Sequence, residues 1–198
     1  MMIPSRMLAV VLAGAWGAGG LAAELVGVGG SSTRFATRIV SRIDGAPVSL
    51  VLTGGALRQK AVFNVYTVGS YVQEGRPVRS AGELAAADCP KQLHLVLERD
   101  VTGEQIAESF TTAIRMGHPA PAFAPELGEL TALLRGRTIR QGDHLWLTHI
   151  SGVGIHLQLV GQGEHLIKNP AFSRAVWDVY LGEKNLGESI KRGLVSRL

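Results

Sequence analysis

The chain has 198 residues, enough for one domain with a sizeable core, and its 46% hydrophobic and 18% charged content excludes a disordered polymer. A net charge of +4, or +3 without Arg6, is too small and too scattered for a nucleic-acid surface. The single cysteine, Cys89, cannot close an internal disulfide, and beside Pro90 it reads as an inert thiol rather than a nucleophile.

Met1–Arg6 carries one cation, Met7–Ala13 is apolar, and small residues lead to Gly20-Leu21-Ala22-Ala23. This is the pattern of a secretory signal, with cleavage expected after Ala22 or Ala23. The alternative is an uncleaved anchor, for which the glycines and Trp16 make a poor membrane helix. No stable membrane span is expected after cleavage. Residues 24–35, with Gly27, Gly29, Gly30, Ser31 and Ser32, read as a flexible leader, so the folded domain is expected over residues 36–198.

Phe35–Arg42 reads as a strand, Asp44-Gly45 as a hairpin turn and Val48–Leu52 as the return strand. Gly54-Gly55 then punctuates before one long central strand reaching Val72. On a continuous strand Leu57, Ala61, Phe63, Val65 and Thr67 would share the core face. Arg58, Lys60, Val62, Asn64 and Tyr66 would share a cleft wall or a solvated surface.

Ser80–Ala87 reads as a short helix capped by Ser80. Lys91–Glu98 reads as a half-buried strand with Leu93, Leu95 and Leu97 inward. Thr102-Gly-Glu-Gln105 is a capping box opening a helix to about Met116, with Ile106, Phe110 and Ile114 as its core stripe. A second helix is expected over Pro125–Leu134 after two prolines. Asp143–Ile150, Gly154–Val160 and His165–Lys168 form a meander. Asn169 caps a helix with Pro170 in its first turn, and Leu186–Leu198 is a last helix. Hairpin-joined strands followed by helices give an α+β domain, a mainly antiparallel sheet with helices packed on it.

Few residues suggest chemistry. Arg58, set among apolar neighbours, could grip a carboxylate or an oxyanion through paired hydrogen bonds; equally it could be a surface arginine, or pair with Glu98 or Asp100. Arg99-Asp100 reads as a structural ion pair. His144 and His149 have opposite parity, so with His156 they make no metal-ligand set. No phosphate loop or G-x-S-x-G appears, no serine–histidine–acid set can be proposed from order alone, and no cofactor is implied.

Three stretches resemble the chalcone isomerase-fold superfamily, especially its bacterial exported branch. They are L-x-G-G-A-L-R-x-K-x-x-F-x-V-Y-x-V-G-S-Y over residues 52–71, L-x-L-x-x-x-R-D-V-T over 93–102, and N-P-A-F-S-R-A-V-W-D-V-Y-L-G over 169–182. The resemblance implies an open-faced sandwich, with helices on one face of the sheet and a ligand held between the two layers. It implies that Arg58 stabilises an enolate in an isomerase or holds the carboxylate in a fatty-acid-binding relative. Tyr66 falls where plant isomerases have a threonine, and resembles the fatty-acid-binding branch. Ser173 falls near the ligand ring of the isomerases, or is simply a satisfied first-turn serine. The chain departs at Ile106 and Ala113, where the isomerase helix carries a tyrosine and an asparagine; neither residue can orient water or bond a phenol.

An oily pocket with a cationic mouth is therefore expected, suited to a fatty acid or similar amphiphile in a non-catalytic bacterial protein exported to the periplasm or beyond. An isomerase (intramolecular lyase) acting on a flavonoid-like enone, and a structural envelope protein with no ligand, are the rival readings. A straight strand would set Arg58 and Tyr66 roughly 26 Å apart, so they could share a ligand only across a bend or bulge.

Overall fold

A computed structural model describes residues 24–198; the signal pattern lies outside the described residues. The strands are β1 (Leu25–Gly27), β2 (Arg34–Ala36), β3 (Arg38–Ile43), β4 (Ala46–Lys60) and β5 (Phe63–Gln73). Helix α1 (Ala81–Ala86), β6 (Lys91–Leu97), the short β7 (Val101–Thr102), α2 (Gly103–Gly117), α3 (Ala124–Leu134) and the short β8 (Thr138–Ile139) come next. Then follow β9 (His144–Ile150), β10 (Gly154–Leu159), β11 (Gly163–Ile167), α4 (Pro170–Leu181) and α5 (Glu188–Leu194).

Seven strands form one antiparallel sheet in the order β11-β10-β9-β6-β5-β4-β3. It is a meander at each side, joined where β6 meets β9 after the chain has passed through α2 and α3. The helices pack on one face, as an α+β open-faced sandwich requires. Leu93, Leu95 and Leu97 of β6, Leu145 and Leu147 of β9, and Ile155, Leu157 and Leu159 of β10 point into that layer. The caps form as their chemistry dictates. Thr102 and Gln105 close both bonds of a capping box, Ser80 accepts from the Glu83 amide, and the Asn169 side chain accepts from the Phe172 amide.

The other face of the sheet is covered too. Residues 25–36 are a hairpin, β1 paired with β2, rather than the flexible leader expected over 24–35. Phe35 is 2% exposed and lies on Gly69, where any Cβ would come within 2.8 Å of its ring. Glu98 accepts hydrogen bonds from Ser31, Thr33 and Thr67, and Asn64 donates to the Gly30 carbonyl at 3.1 Å. Burial pushes the Glu98 carboxyl up, but the hydroxyls of Ser31, Thr67 and Thr33 outweigh it and hold the group below its usual range. With both faces covered, β6 is buried along almost its whole length, not half-buried.

The expected central strand is two strands. β4 runs through Gly54-Gly55 to Lys60, Ala61 and Val62 turn, and β5 returns. Ala61 and Phe63, expected in the core, are exposed. Two register shifts interrupt the ladder, between Leu52 and Gly54 and between Arg58 and Gln59. The first leaves Thr53 as an extra residue. Leu50 and Leu52 pack on the hairpin side, whereas Ala56, three ladder pairs but four residues after Leu52, belongs to the helix-side core. One inserted residue has exchanged the faces, and Arg58 is carried to the helix side with Ala56.

The glycine pair inside β4 is there for close approach. Gly54 has φ 152°, and a Cβ on it would stand 2.1 Å from the Gly193 carbonyl oxygen. The backbone of α5 therefore lies directly on β4. The Thr53 hydroxyl donates to the Leu194 carbonyl at 2.8 Å and locks this junction.

Candidate functional site

The β4–β5 hairpin places Arg58 and Tyr66 directly opposite each other in the ladder. The separation expected from a straight strand does not exist; directly opposed residues have Cβ atoms about 5 Å apart. Both side chains are half-buried on the helix side, and Tyr66 packs against the main core.

Helix α4 adds a third member. The Tyr66 and Tyr180 hydroxyls are 3.2 Å apart, and Tyr180 is 1% exposed. Arg58 Nη1 donates to the Leu186 carbonyl, 3.1 Å away, in the segment between α4 and α5. Among the described residues the arginine and lysine ion pairs are Arg38–Glu74, Arg174–Asp178 and Lys191–Glu188; Arg58 is in none of them. Asp100 instead accepts from the Gln141 amide and Glu98 from three hydroxyls. Arg99 reaches over the Phe63 ring and contacts only the Asp100 backbone, so the expected Arg99–Asp100 ion pair is absent.

Burial raises the Tyr66 phenol, against the pull of the Tyr180 hydrogen bond and of Arg58. Burial also pushes Tyr180 well above the usual phenol range, Tyr66 adds to this, and Arg58 opposes it. Both phenols therefore keep their protons at neutral pH. Two O–H groups share one mutual hydrogen bond, so one proton is left to donate elsewhere. The guanidinium has five N–H donors and gives one to Leu186. The cluster has spare donors and a positive charge, and no anionic partner among the described residues.

Around it the helix layer is apolar. Ala113 is buried and Ile106 half-buried in the same core, so α2 brings no polar group to this region from those positions. An oily pocket is expected at Arg58, but one cavity, of ≈ 200 Å³, lies on the hairpin side of the sheet and another beside α1, and Arg58 lines neither.

Ser173 stands in a different network. It lies seven residues before Tyr180 on α4, two turns or about 10 Å along the axis. Its hydroxyl is 2.7 Å from His149 Nδ1, and His149 Nε2 is 2.9 Å from Asp88 Oδ1. This serine–histidine–aspartate chain comes from three distant segments that sequence order could not connect. Ser173 is 0% exposed and its hydroxyl is engaged by His149; the chain ties the α1–β6 loop, the end of β9 and the first turn of α4, buried at Ser173 and His149 and open to solvent at Asp88. Burial lowers the His149 ring and Asp88 opposes that, while the His149 hydrogen bond is the main cause holding Asp88 below its usual value. Nearby, Lys91 Nζ is buried, lowered to about 8 chiefly by burial, and caps α1 by donating to the Leu84 and Ala85 carbonyls at 2.9 and 2.8 Å.

Tyr180 is the site residue that the sequence reading missed. Its signals were its place in the 169–182 stretch and its helical spacing: Ser173 and Tyr180 are seven apart and share a face of α4. His149 carried no signal at all.

The comparisons agree with this architecture. No curated protein matches the chain in sequence. The fold is similar to the solved structure of the Arabidopsis thaliana fatty-acid binding protein AtFAP1, with 17% identity, a TM-score of 0.66 and coverage of 87% of this chain and 96% of that one. At that identity the likeness establishes the fold. A sequence profile described as chalcone isomerase-like matches residues 37–196, from the end of the hairpin to the end of the last helix. The chain belongs to the chalcone isomerase-like family.

Proposed function

We propose that this protein is an exported, non-catalytic binder of a fatty acid or similar amphiphilic carboxylate. The observation that carries the reading is the Arg58–Tyr66–Tyr180 cluster, a cation and two protonated phenols with donors to spare and no acidic partner among the described residues. A carboxylate has two oxygens and about four acceptor sites, and it completes such a cluster by charge-assisted hydrogen bonds. The similar Arabidopsis structure is a fatty-acid binding protein, which supports the same ligand class.

The Leu186 carbonyl already occupies Arg58, and neither of the two cavities adjoins it, so binding involves movement. The segment 182–187 carries the Leu186 carbonyl that occupies Arg58. The incoming carboxylate replaces that carbonyl, and the segment moves aside with its apolar Leu186 to admit the chain. The apolar positions Ile106 and Ala113 favour a held ligand over a turned-over one, because neither side chain can move a proton.

The test is titration with a fluorescent polyene fatty acid and displacement by a C12–C16 fatty acid. Wild type is expected to bind one equivalent, and Arg58→Met to bind at least tenfold more weakly. Equal binding by the two proteins, or none by wild type, overturns the reading. Native mass spectrometry of the protein from its own host is the companion measurement. Export is tested by the N-terminus of that material, expected at Ala23 or Glu24.

A further inference from the structure

The cavity on the opposite face of the sheet belongs to no part of this site. It is walled by Phe35, Tyr71, His94 and Trp146, with Arg34 and Gln158 also lining it. The rings have definite orientations. His94 stacks on Trp146 with centroids 3.7 Å apart and 9° between planes, Phe35 meets His94 edge-on at 5.4 Å, and Tyr71 lies tilted at 6.5 Å from Trp146. The wall contributed by β2 is held in place. Thr37 N donates to the Glu24 carbonyl at 2.8 Å, Leu52 N donates to the Thr37 carbonyl at 2.9 Å, and the Tyr71 hydroxyl donates to the Ala36 carbonyl at 3.0 Å.

Size and charge narrow the occupant. A volume of ≈ 200 Å³ is below the roughly 300–1,000 Å³ of sites for drug-sized ligands, so neither a long acyl chain nor a three-ring flavonoid fits. One ring with a short arm fits. Aromatic walls favour a planar, π-bearing partner through stacked and edge-on contacts. Among the described residues no carboxylate lines the cavity. Gln92 has its amide committed to Ser41 and Thr148, at 2.8 Å each. Burial, and then the neighbouring His144, lower His94 to about 3, so it is neutral. That leaves Arg34 as the charged group at the cavity, exposed and in no ion pair among the described residues. A cation beside aromatic walls complements an acid on the end of a ring.

We propose that this cavity is a second ligand site, on the hairpin side of the sheet, for a small aromatic carboxylate whose ring packs among Phe35, Tyr71 and Trp146 and whose acid group pairs with Arg34. The site is independent of Arg58, because the sheet lies between them.

The test uses trans-cinnamate and its neutral amide as probes on the purified protein, by titration calorimetry and amide chemical-shift mapping. Cinnamate is expected to bind at millimolar or lower concentration and to shift the amides of Phe35, Tyr71, His94 and Trp146. Arg34→Gln, an exposed change that leaves the core untouched, is expected to weaken cinnamate at least fivefold and leave cinnamamide unchanged. Ala36→Leu fills the cavity and is expected to abolish both, whereas Arg58→Met is expected to alter neither. Absence of cinnamate binding to wild type, shifts centred on Arg58, or equal cinnamate affinity in Arg34→Gln overturns the proposal. Because Arg58→Met separates the two faces, failure here leaves the fatty-acid reading standing, and the converse also holds.

Discussion

The two faces of the sheet solve different problems. On the helix side almost every inward position of β6, β9 and β10 is Leu or Ile, and the few polar groups stand out: Arg58 and Tyr66 at one end, Lys91 and His149 at the other. On the hairpin side the same three strands carry mostly polar and aromatic residues, next to a smaller apolar cluster that holds Ile43, Leu50 and Leu52. Ser41, Gln92 and Thr148 form one hydrogen-bonded chain, and His94, His144 and Trp146 form one stack. The lesson is that a polar group means more where its neighbours are apolar. On the helix side each one either is fully tied, as Ser173, His149 and Lys91 are, or has unspent donors, as Arg58 and Tyr180 have. On the hairpin side the unspent group is the cation at the rim, Arg34.

The sharpest way to break the helix side is through its closest backbone approach. Gly54→Ala forces a Cβ to within 2.1 Å of the Gly193 carbonyl at a positive φ, so α5 must lift from β4. A loss of about 3 kcal/mol or more is expected, read as a large fall in Tm or as failure to fold. Gly69→Ala is the corresponding change on the hairpin side. There the obstacle is the ring of Phe35, a side chain on a small hairpin, so the expected loss is smaller, about 1–3 kcal/mol, with increased hydrogen exchange confined to residues 25–36. If both changes cost the same, the hairpin is part of the cooperative core and the contrast between the faces fails.

Ser173→Ala removes the buried link of that tie and leaves His149 Nδ1 without its partner. A loss of about 1–3 kcal/mol in chemical denaturation is expected, with no effect on fatty-acid binding. Tyr180→Phe does the opposite. It should cost roughly 1 kcal/mol or less of stability, because its hydroxyl bonds only another hydroxyl, and it should weaken the fatty acid by about five- to tenfold.

Acid sharpens the comparison in another way. His94, His149 and His156 are all lowered, mainly by burial, so the unfolded chain takes up their protons first as pH falls below 6.5. Stability is therefore expected to drop progressively from about pH 6.5 downward, to about pH 3 for His94, with a slope of at most about 1.4 kcal/mol per pH unit from each titrating ring. Glu98 and Asp88 are also depressed, so their contribution is present above the ordinary carboxylate range and is lost as pH falls through the lowered values. His94→Gln should flatten the slope between pH 6.5 and 4; an unchanged slope would show that the hairpin side does not carry it. A small effect is also expected of Glu98→Gln. It keeps the shape but weakens the acceptor for three hydroxyls, which should cost about 1 kcal/mol and loosen residues 28–33.

Much of this was legible in the sequence, because much of it is local. The caps at Ser80, Thr102 and Asn169, the turn at Asp44-Gly45, the leucine alternation of β6 and the stripe of α2 are set by residues within a few positions of one another. These elements, in order, dictate an antiparallel sheet with helices, and Arg58, Tyr66 and Ser173 could be singled out by residue type and motif.

What the sequence left open was how distant residues meet. The turn after Lys60 is made by Ala61 and Val62, with Ala61 at φ 53° and neither glycine nor asparagine to mark it, so β4 and β5 read as one strand. The extra residue at Thr53 then exchanges the faces, a change that alternation cannot show because the inserted side chain is itself an ordinary strand former. Register and long-range packing alone paired Arg58 with Tyr66, brought Tyr180 to them, turned Ser173 toward His149, and folded residues 25–36 over the second face. The chain chooses its elements by short-range preference, but which of their side chains become neighbours is settled by burying apolar faces across the whole domain at once.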